Sequence, residues 1–227
     1  APYNDGNGTD SGHVRIYQRN SNGDWEQLGA DIDGEAAGDL SGASVSLSAD
    51  GSTVAIGADN NDGNGTDSGH VRIYQRNSNG NWEQVGADID GEAAFDESGT
   101  SVSLSADGST VAIGAPDNGG NGDSAGHVRI YQRNSNGIWE QLGTDIDGEL
   151  AGDSSGDSVS LSADGSTVAI GAPSNAGNGD SAGHVRIYQL NSNGNWEQLG
   201  ADLDGEAASD ESGTSVSLSA DGNTVAI

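Results

Sequence analysis

The sequence predicts an all-β fold built from four copies of one unit. The string Gly-His-Val-Arg-Ile-Tyr-Gln begins at Gly12, Gly69, Gly126 and Gly183, so the unit recurs without insertion or deletion about every 57 residues. Within each copy, apolar and polar residues alternate, which is the period of a β-strand. Turn signals of the Asn-Gly and Asp-Gly type separate the alternating segments.

Each copy predicts four antiparallel strands joined by tight turns. Asn22-Gly23 accepts the positive φ angles of a tight hairpin and returns the first strand on the second. Asp50-Gly51 is the same kind of signal between the third strand and the fourth. The strands of the first copy are expected at residues 12–20, 25–32, 44–48 and 53–56.

Stacked four-stranded sheets predict a β-propeller. One such sheet cannot bury its apolar face alone, whereas copies stacked face to face can. The predicted blades form one domain, 1–227, and lie at 12–57, 69–114, 126–171 and 183–227. Loops between blades are expected at 1–11, 58–68, 115–125 and 172–182. One added Gly would join the end of the sequence to its beginning in register, so the four units either close on themselves or belong to a longer array.

The charge balance excludes some partners. Asp and Glu number 36 against 7 basic residues, for a net charge of −29. Such a surface repels nucleic acid and anionic membranes. No segment approaches the roughly 18 consecutive apolar residues of a membrane span, so no membrane insertion is expected.

The whole chain resembles an array of the FG-GAP repeats of integrin-α-type β-propellers. The motifs that carry the resemblance are Phe95, Ser98–Ser103, Asp107-Gly108, Val111–Pro116 and Gly126–Tyr131. The resemblance implies a propeller at the cell surface or outside the cell, with self-association or other extracellular proteins and glycans as partners. The family's calcium loop is shortened here to Ser-Ala-Asp-Gly-Ser, which cannot supply six to eight oxygen ligands. The family's calcium sites are therefore not transferred to this chain.

Two other loops carry candidate calcium ligands. Carboxylates cluster at Asp31, Asp33 and Glu35, and oxygen-bearing side chains alternate over residues 60–64. The alternative is that Asn, Asp and Gly are here because they form turns. The candidate metal ligands are Asp31, Asp33, Glu35, Asn60, Asp62 and Asn64.

Further surface features are candidates for modification or contact. Asn7 and Asn64 match the N-glycosylation pattern Asn-x-Thr in predicted surface loops. Apolar residues replace small or polar ones at single positions of the repeat, which suggests an interaction patch. The candidate patch consists of Phe95, Ile138, Leu150 and Leu190.

The sequence predicts no catalytic residue. There is no Cys or Lys, and the His residues are repeat copies far apart in the chain. The polar stripe of His13, Arg15 and Tyr17 is interpreted as packing, with Arg15 paired to an acidic neighbour. The predicted function is a non-enzymatic structural or adhesive protein, such as a scaffold, surface layer or filament that assembles with other copies. The alternative is a closed propeller that binds a glycan or protein ligand with the help of calcium.

Overall fold

A computed structural model describes all 227 residues, and the only regular elements are β-strands. It contains no helix of the length and apolarity needed to cross a membrane. The chain begins with β1 (His13–Val14), β2 (Tyr17–Arg19), β3 (Trp25–Gln27) and β4 (Ile32–Asp33), and ends with β20 (Ser217–Leu218) and β21 (Val225–Ala226). Three larger groups of strands lie between these ends.

These three groups form three complete antiparallel sheets. The first contains β5 (Ser44–Leu47), β6 (Thr53–Ala58), β7 (His70–Arg76), β8 (Trp82–Gln84) and β9 (Ile89–Asp90). The second contains β10 (Ser101–Leu104), β11 (Thr110–Ala115), β12 (His127–Arg133), β13 (Trp139–Gln141) and β14 (Ile146–Asp147). The third contains β15 (Ser158–Leu161), β16 (Thr167–Ala172), β17 (His184–Leu190), β18 (Trp196–Gln198) and β19 (Leu203–Asp204).

Each complete sheet is a four-stranded blade, as the sequence predicts. The order in the first is β5-β6-β7-β8, and β9 also pairs with β7. β8 pairs with the end of β7 from Tyr74 onward, and β9 pairs with its beginning at His70 and Val71. The two short strands therefore share the fourth position of the blade.

Each sheet takes its strands from two successive repeats. β5 and β6 are the third and fourth strands of one copy of the sequence, while β7 and β8 are the first and second of the next. The first complete sheet thus runs over residues 44–90, shifted relative to the predicted blade at 12–57. β1–β4 lack the two inner strands, and β20–β21 lack the two outer ones. We call β1–β4 the N-terminal half-sheet and β20–β21 the C-terminal hairpin.

Turn chemistry closes the hairpins where the sequence predicts them. Asp50 Oδ1 accepts hydrogen bonds from the Ser52 backbone N–H at 2.9 Å and from Ser48 Oγ at 2.7 Å. Gly51 adopts a φ of 69°, in the left-handed region that favours glycine. The turn thereby returns β5 onto β6 in a fixed register, with Val45 opposite Ile56.

The apolar core lies between successive sheets. Ala55 and Ile73 of the first sheet pack with Val111 and Ile113 of the second, and all four are at most 2% exposed. Close stacking needs glycine at the inner strand, because a Cβ at Gly57 would lie 2.1 Å from the Gly99 carbonyl oxygen. β6, β11 and β16 are consequently buried along their whole length.

Candidate metal centre

A buried histidine begins the third strand of every complete blade. His70, His127 and His184 are each 1% exposed. The register places His70 opposite Asp90. Asp88, which immediately precedes β9, therefore lies next to the imidazole. The Nδ1 atom of His70 lies 4.0 Å from Asp88 Oδ2.

A glutamate from the preceding sheet completes each group. Glu35 follows β4 and reaches across the sheet boundary, so that one oxygen or nitrogen atom each from Glu35, His70 and Asp88 lie within 4.8 Å of one another. Two further groups repeat this arrangement between the later sheets. They consist of Glu92, His127 and Asp145, and of Glu149, His184 and Asp202.

The histidines have no hydrogen bonds that would explain their burial. The Nε2 atoms of His127 and His184 are buried without a partner. The Nδ1 atom of His184 lies 3.8 Å from Asp202 Oδ2, which is too long for a hydrogen bond. Because Nδ1 faces the aspartate without a hydrogen bond, it is the ring nitrogen that an ion held by this group would contact, whereas Nε2 would still have no partner.

The histidines are suited to act as neutral ligands. Burial lowers the pKa of His70, His127 and His184 below the usual value of 6.5, and the positive charge of the neighbouring arginine lowers each pKa further. Protonation is therefore disfavoured at neutral pH. A neutral imidazole offers one ring nitrogen as a metal ligand.

An arginine partly neutralises each group. Arg72 Nη1 lies 3.3 Å from Glu35 Oε1, and its Nη2 donates to the Asp33 carbonyl at 2.9 Å. The Arg72 guanidinium also lies 5.6 Å from the centre of the Tyr74 ring. The arginine, the two carboxylates and the neutral histidine leave a net charge of about −1. A divalent cation is still attracted, less strongly than by two unpaired carboxylates.

Some of the predicted metal ligands lie near a histidine, whereas others hydrogen-bond to the backbone of their own loop or the following one. Glu35 belongs to the first group, and Asp31 lies 3.9 Å from the His13 ring, whereas Asp33 contributes its backbone carbonyl to Arg72. In the loop at 60–64, Asp62 Oδ1 accepts from the Asp67 N–H, and Asn64 Nδ2 donates to two backbone carbonyls. Within that loop these side chains stabilise turns.

A second set of carboxylates, which is not repeated, lies on the loops that join β6 to β7 and β11 to β12 and on the linker between the first sheet and the second. Burial raises the pKa of Glu97, and the negative charge of Asp117 raises it further, followed by Asp59 and Asp67. Burial likewise raises the pKa of Asp59, whose Oδ1 has no partner. These acids therefore approach one another closely enough to repel.

The other candidate residues lie at separate places. Asn7 and Asn64 are exposed, and each amide donates to the backbone of the following loop, Asn7 Nδ2 to Gly34 at 2.9 Å. Ile138 lies in the turn before β13. Phe95 lies in the loop after β9 and has a φ of 67°, unusual for a bulky residue. Phe95, Ile138 and Leu150 are each more than half exposed, and Leu190 is partly buried at the end of β17.

Sequence reasoning missed the Glu-His-Asp groups because it treated the histidines as packing residues. A signal was present, since each histidine precedes an aspartate by 18 residues and follows a glutamate by 35. The spacing to the glutamate crosses a repeat boundary. Only the shift of the sheets relative to the repeats shows that the two residues meet.

The fold and these groups define a β-propeller with possible metal ligands between its blades. A scan of protein-family models found no match, and a search of curated proteins found no relative. Solved structures share the fold. A protein described as a "putative 6-phosphogluconolactonase" from Bacteroides fragilis has a TM-score of 0.59 and 13% identity over 96% of this chain and 57% of its own.

Two further solved structures share the fold. One from Bacteroides uniformis, with the same description, has a TM-score of 0.57 and 14% identity over 86% of this chain and 49% of its own. A protein from Lactobacillus plantarum has a TM-score of 0.56 and 14% identity over 85% of this chain and 49% of its own. This chain thus spans about half the length of the structures it resembles, and these identities establish the fold alone.

The comparisons correct two predictions. The assignment to FG-GAP integrin-type repeats is wrong, because two of the similar propellers are described as "putative 6-phosphogluconolactonase", none as an FG-GAP repeat protein, and no family model matches. Within the Val111–Pro116 motif, Gly114 instead reflects close stacking, because a Cβ there would clash with the Gly156 carbonyl oxygen, just before the next sheet. The prediction of a non-enzymatic structural, adhesive or filament protein is contradicted as well, since two of these propellers are named for an enzyme, and the ligand-binding alternative gains no support.

Proposed function

We propose that the protein binds divalent cations at its three Glu-His-Asp groups. The observation that carries this proposal is the buried histidine with neither ring nitrogen hydrogen-bonded, next to carboxylates from two sheets. Because the carboxylates remain partly exposed, an ion has a path from solvent.

The ligand set indicates the class of metal. One nitrogen and two carboxylates suit zinc and similar transition metals, whereas calcium prefers six to eight oxygen ligands. Calcium, which the loop composition suggests, therefore serves as the comparison ion. The nearby arginine lowers the affinity of the group for a cation, because its positive charge already compensates part of the negative charge of the glutamate.

The test is the count of bound Zn²⁺ in wild-type protein and in His127→Gln, by calorimetry and elemental analysis after dialysis. We expect the substitution to remove one Zn²⁺ per chain and Ca²⁺ to bind these groups more weakly. Binding should persist at pH 6.5 and weaken only at lower pH, because burial and the neighbouring Arg129 hold the pKa of His127 below its ordinary value, and protonation competes with the metal only below that pKa.

The matched control is Glu83→Gln, which removes an exposed carboxylate of β8 that accepts a hydrogen bond from Asn77. This variant should keep the wild-type count. Failure to bind Zn²⁺, or an unchanged count in His127→Gln, would refute the proposal.

Hydrolysis of a lactone is a second candidate function. The names of two similar propellers favour it, as do the partly exposed carboxylates of each group. A divalent cation bound there would lower the pKa of a bound water and so supply hydroxide at neutral pH. The net charge of −29 disfavours a phosphorylated substrate, so an uncharged sugar lactone is the better fit.

The assay follows acid release from gluconolactone and from its 6-phosphate in the presence of Zn²⁺. We expect a rate above the buffer background for the uncharged lactone, and loss of that excess when His70, His127 and His184 are all replaced by Gln. A rate equal to the background, or one that the triple variant retains, would exclude this function for these groups.

A further inference from the structure

A cavity between the first and second complete sheets is bordered by aromatic and acidic side chains. It has a volume of about 190 Å³. Asp88 and Asp90 lie on the side of the first sheet, and Tyr131 and Trp139 lie on the side of the second. Small and branched apolar side chains complete the lining. We call this the Trp139 cavity.

The same arrangement occurs one repeat earlier in the chain. The Trp82 cavity has a volume of about 330 Å³, and its lining includes Asp31, Asp33, Tyr74 and Trp82. Because Asp33 and its repeat copy Asp90 are exposed, both cavities can be reached from solvent. Two sheet boundaries therefore present one tyrosine, one tryptophan and two aspartates around a small space.

Hydrogen bonds to the preceding sheet hold both tryptophans in place. Trp82 Nε1 donates to the Leu28 carbonyl at 2.7 Å, and Trp139 Nε1 donates to the Val85 carbonyl at 2.8 Å. Both indoles are only partly buried, so part of each ring remains accessible from its cavity. A ring that is already fixed loses little conformational freedom when a ligand binds beside it.

The tyrosines of the two cavities already attract positive charge. The Arg72 guanidinium lies 5.6 Å from the centre of the Tyr74 ring, and the Arg129 guanidinium lies at the same distance from Tyr131. The negative face of an aromatic ring attracts a cation that comes within about 6 Å of its centre. Tryptophan is the most effective aromatic residue in this interaction, so a cation in either cavity would be attracted by the indole as well.

The aspartates add negative charge that the arginines do not pair with. The Arg72 guanidinium forms its salt bridge with Glu35, at 3.3 Å, and Glu35 does not line the cavity. Asp33 and Asp90 are exposed and have no such partner. On a protein with a net charge of −29, these carboxylates favour a cationic ligand over an anionic one.

We propose that the Trp82 and Trp139 cavities each bind a quaternary ammonium group, such as the trimethylammonium head of choline. Such a group has no N–H, so the apolar wall formed by Ile32 or Ile89 leaves no hydrogen bond unmade. A primary ammonium has three donors, which that wall cannot satisfy. The positive charge is stabilised by the aromatic rings and the two carboxylates.

This proposal does not rest on metal binding. Asp88 lines the Trp139 cavity and also belongs to the group of Glu35 and His70. Asp33 and Asp90 belong to none of the three Glu-His-Asp groups. Substitution of Asp33 or Asp90 therefore changes a cavity without removing a proposed metal ligand.

The test is a choline titration of the isotope-labelled full chain in a chelator, followed by the NMR signals of the indole N–H groups. The signals of Trp82 and Trp139 are assigned with Trp82→Phe and Trp139→Phe. Both signals should shift, with midpoints on the order of millimolar choline. Asp33→Asn should raise the midpoint of the Trp82 signal by about threefold or more and leave that of Trp139 nearly unchanged, and Asp90→Asn should do the reverse.

Glu83→Gln is the matched control. It removes one negative charge next to Trp82 in sequence, but on the opposite face of β8. Both midpoints should stay nearly unchanged in this variant. The uncharged analogue of choline, in which carbon replaces the nitrogen, should shift neither signal at the same concentrations.

Three outcomes would overturn the proposal. They are the absence of a choline-dependent shift at Trp82 and Trp139, an equal shift with the uncharged analogue or with glucose, and equal midpoints in Asp33→Asn and Glu83→Gln. Because the chelator removes metal, the result stands whether or not the chain binds Zn²⁺.

Discussion

Residues 13–19 and 70–76 have the same sequence and different structures. His70–Arg76 forms one continuous strand, β7, whereas the same seven residues at 13–19 form two short strands interrupted at Arg15 and Ile16. The difference is the neighbour, because β6 pairs along six residues of β7 and the N-terminal half-sheet has no such partner. Alternation in the sequence thus specifies which face is buried, while the adjacent strand determines how far the strand extends.

The largest effect should come from the inner strands. Ile113 is 1% exposed and Ile227 is 53% exposed, in the same Thr-Val-Ala-Ile context. Ile113→Ala should lower the free energy of unfolding by about 2–5 kcal/mol, through lost burial and a cavity. Ile227→Ala should cost less than about 0.5 kcal/mol.

The measurement is urea unfolding of both variants beside the wild-type chain. Equal losses for the two variants would show that the C-terminal hairpin is as well packed as a complete sheet, contrary to the structure.

A smaller difference in stability is expected between substitutions of two tryptophans. Trp139→Phe keeps an aromatic ring but removes the donor to the Val85 carbonyl, so it should cost about 1 kcal/mol. Trp25 is 68% exposed and its indole N–H has no partner. Trp25→Phe should therefore leave the temperature of thermal unfolding nearly unchanged. A cost for Trp25→Phe equal to that for Trp139→Phe would mean that the first tryptophan is packed against a sheet in the single chain.

The regular part of the fold could be predicted from sequence because it depends on local chemistry. Asn-Gly and Asp-Gly have few alternatives to a tight turn, and alternation of Val14 and Ile16 with polar residues fixes the buried face. The phase of the sheets relative to the repeats could not be obtained in this way. It depends on whether the strands on the two sides of the loop at 59–69 pair with each other or belong to different sheets. The composition of that loop is compatible with both.

The site was only partly predictable for the same reason. Glu35 was identified as a candidate ligand from its local acidic cluster, but His70 lies 35 residues further on and meets it only across two sheets. The predicted pairing with an acidic neighbour is absent at Arg15 itself and is observed at its repeat copy Arg72. Calcium, glycosylation at Asn7 and Asn64, and an extracellular location remain predictions.

The shift between sheets and repeats also bears on how such a gene can change in length. Every complete blade joins the second half of one repeat to the first half of the next, so loss or gain of one whole repeat, at any point along the sequence, rebuilds the same junctions. No new sheet edge and no new core contact is created by such an event. A change in repeat number by recombination therefore creates no junction between repeats that the chain does not already contain.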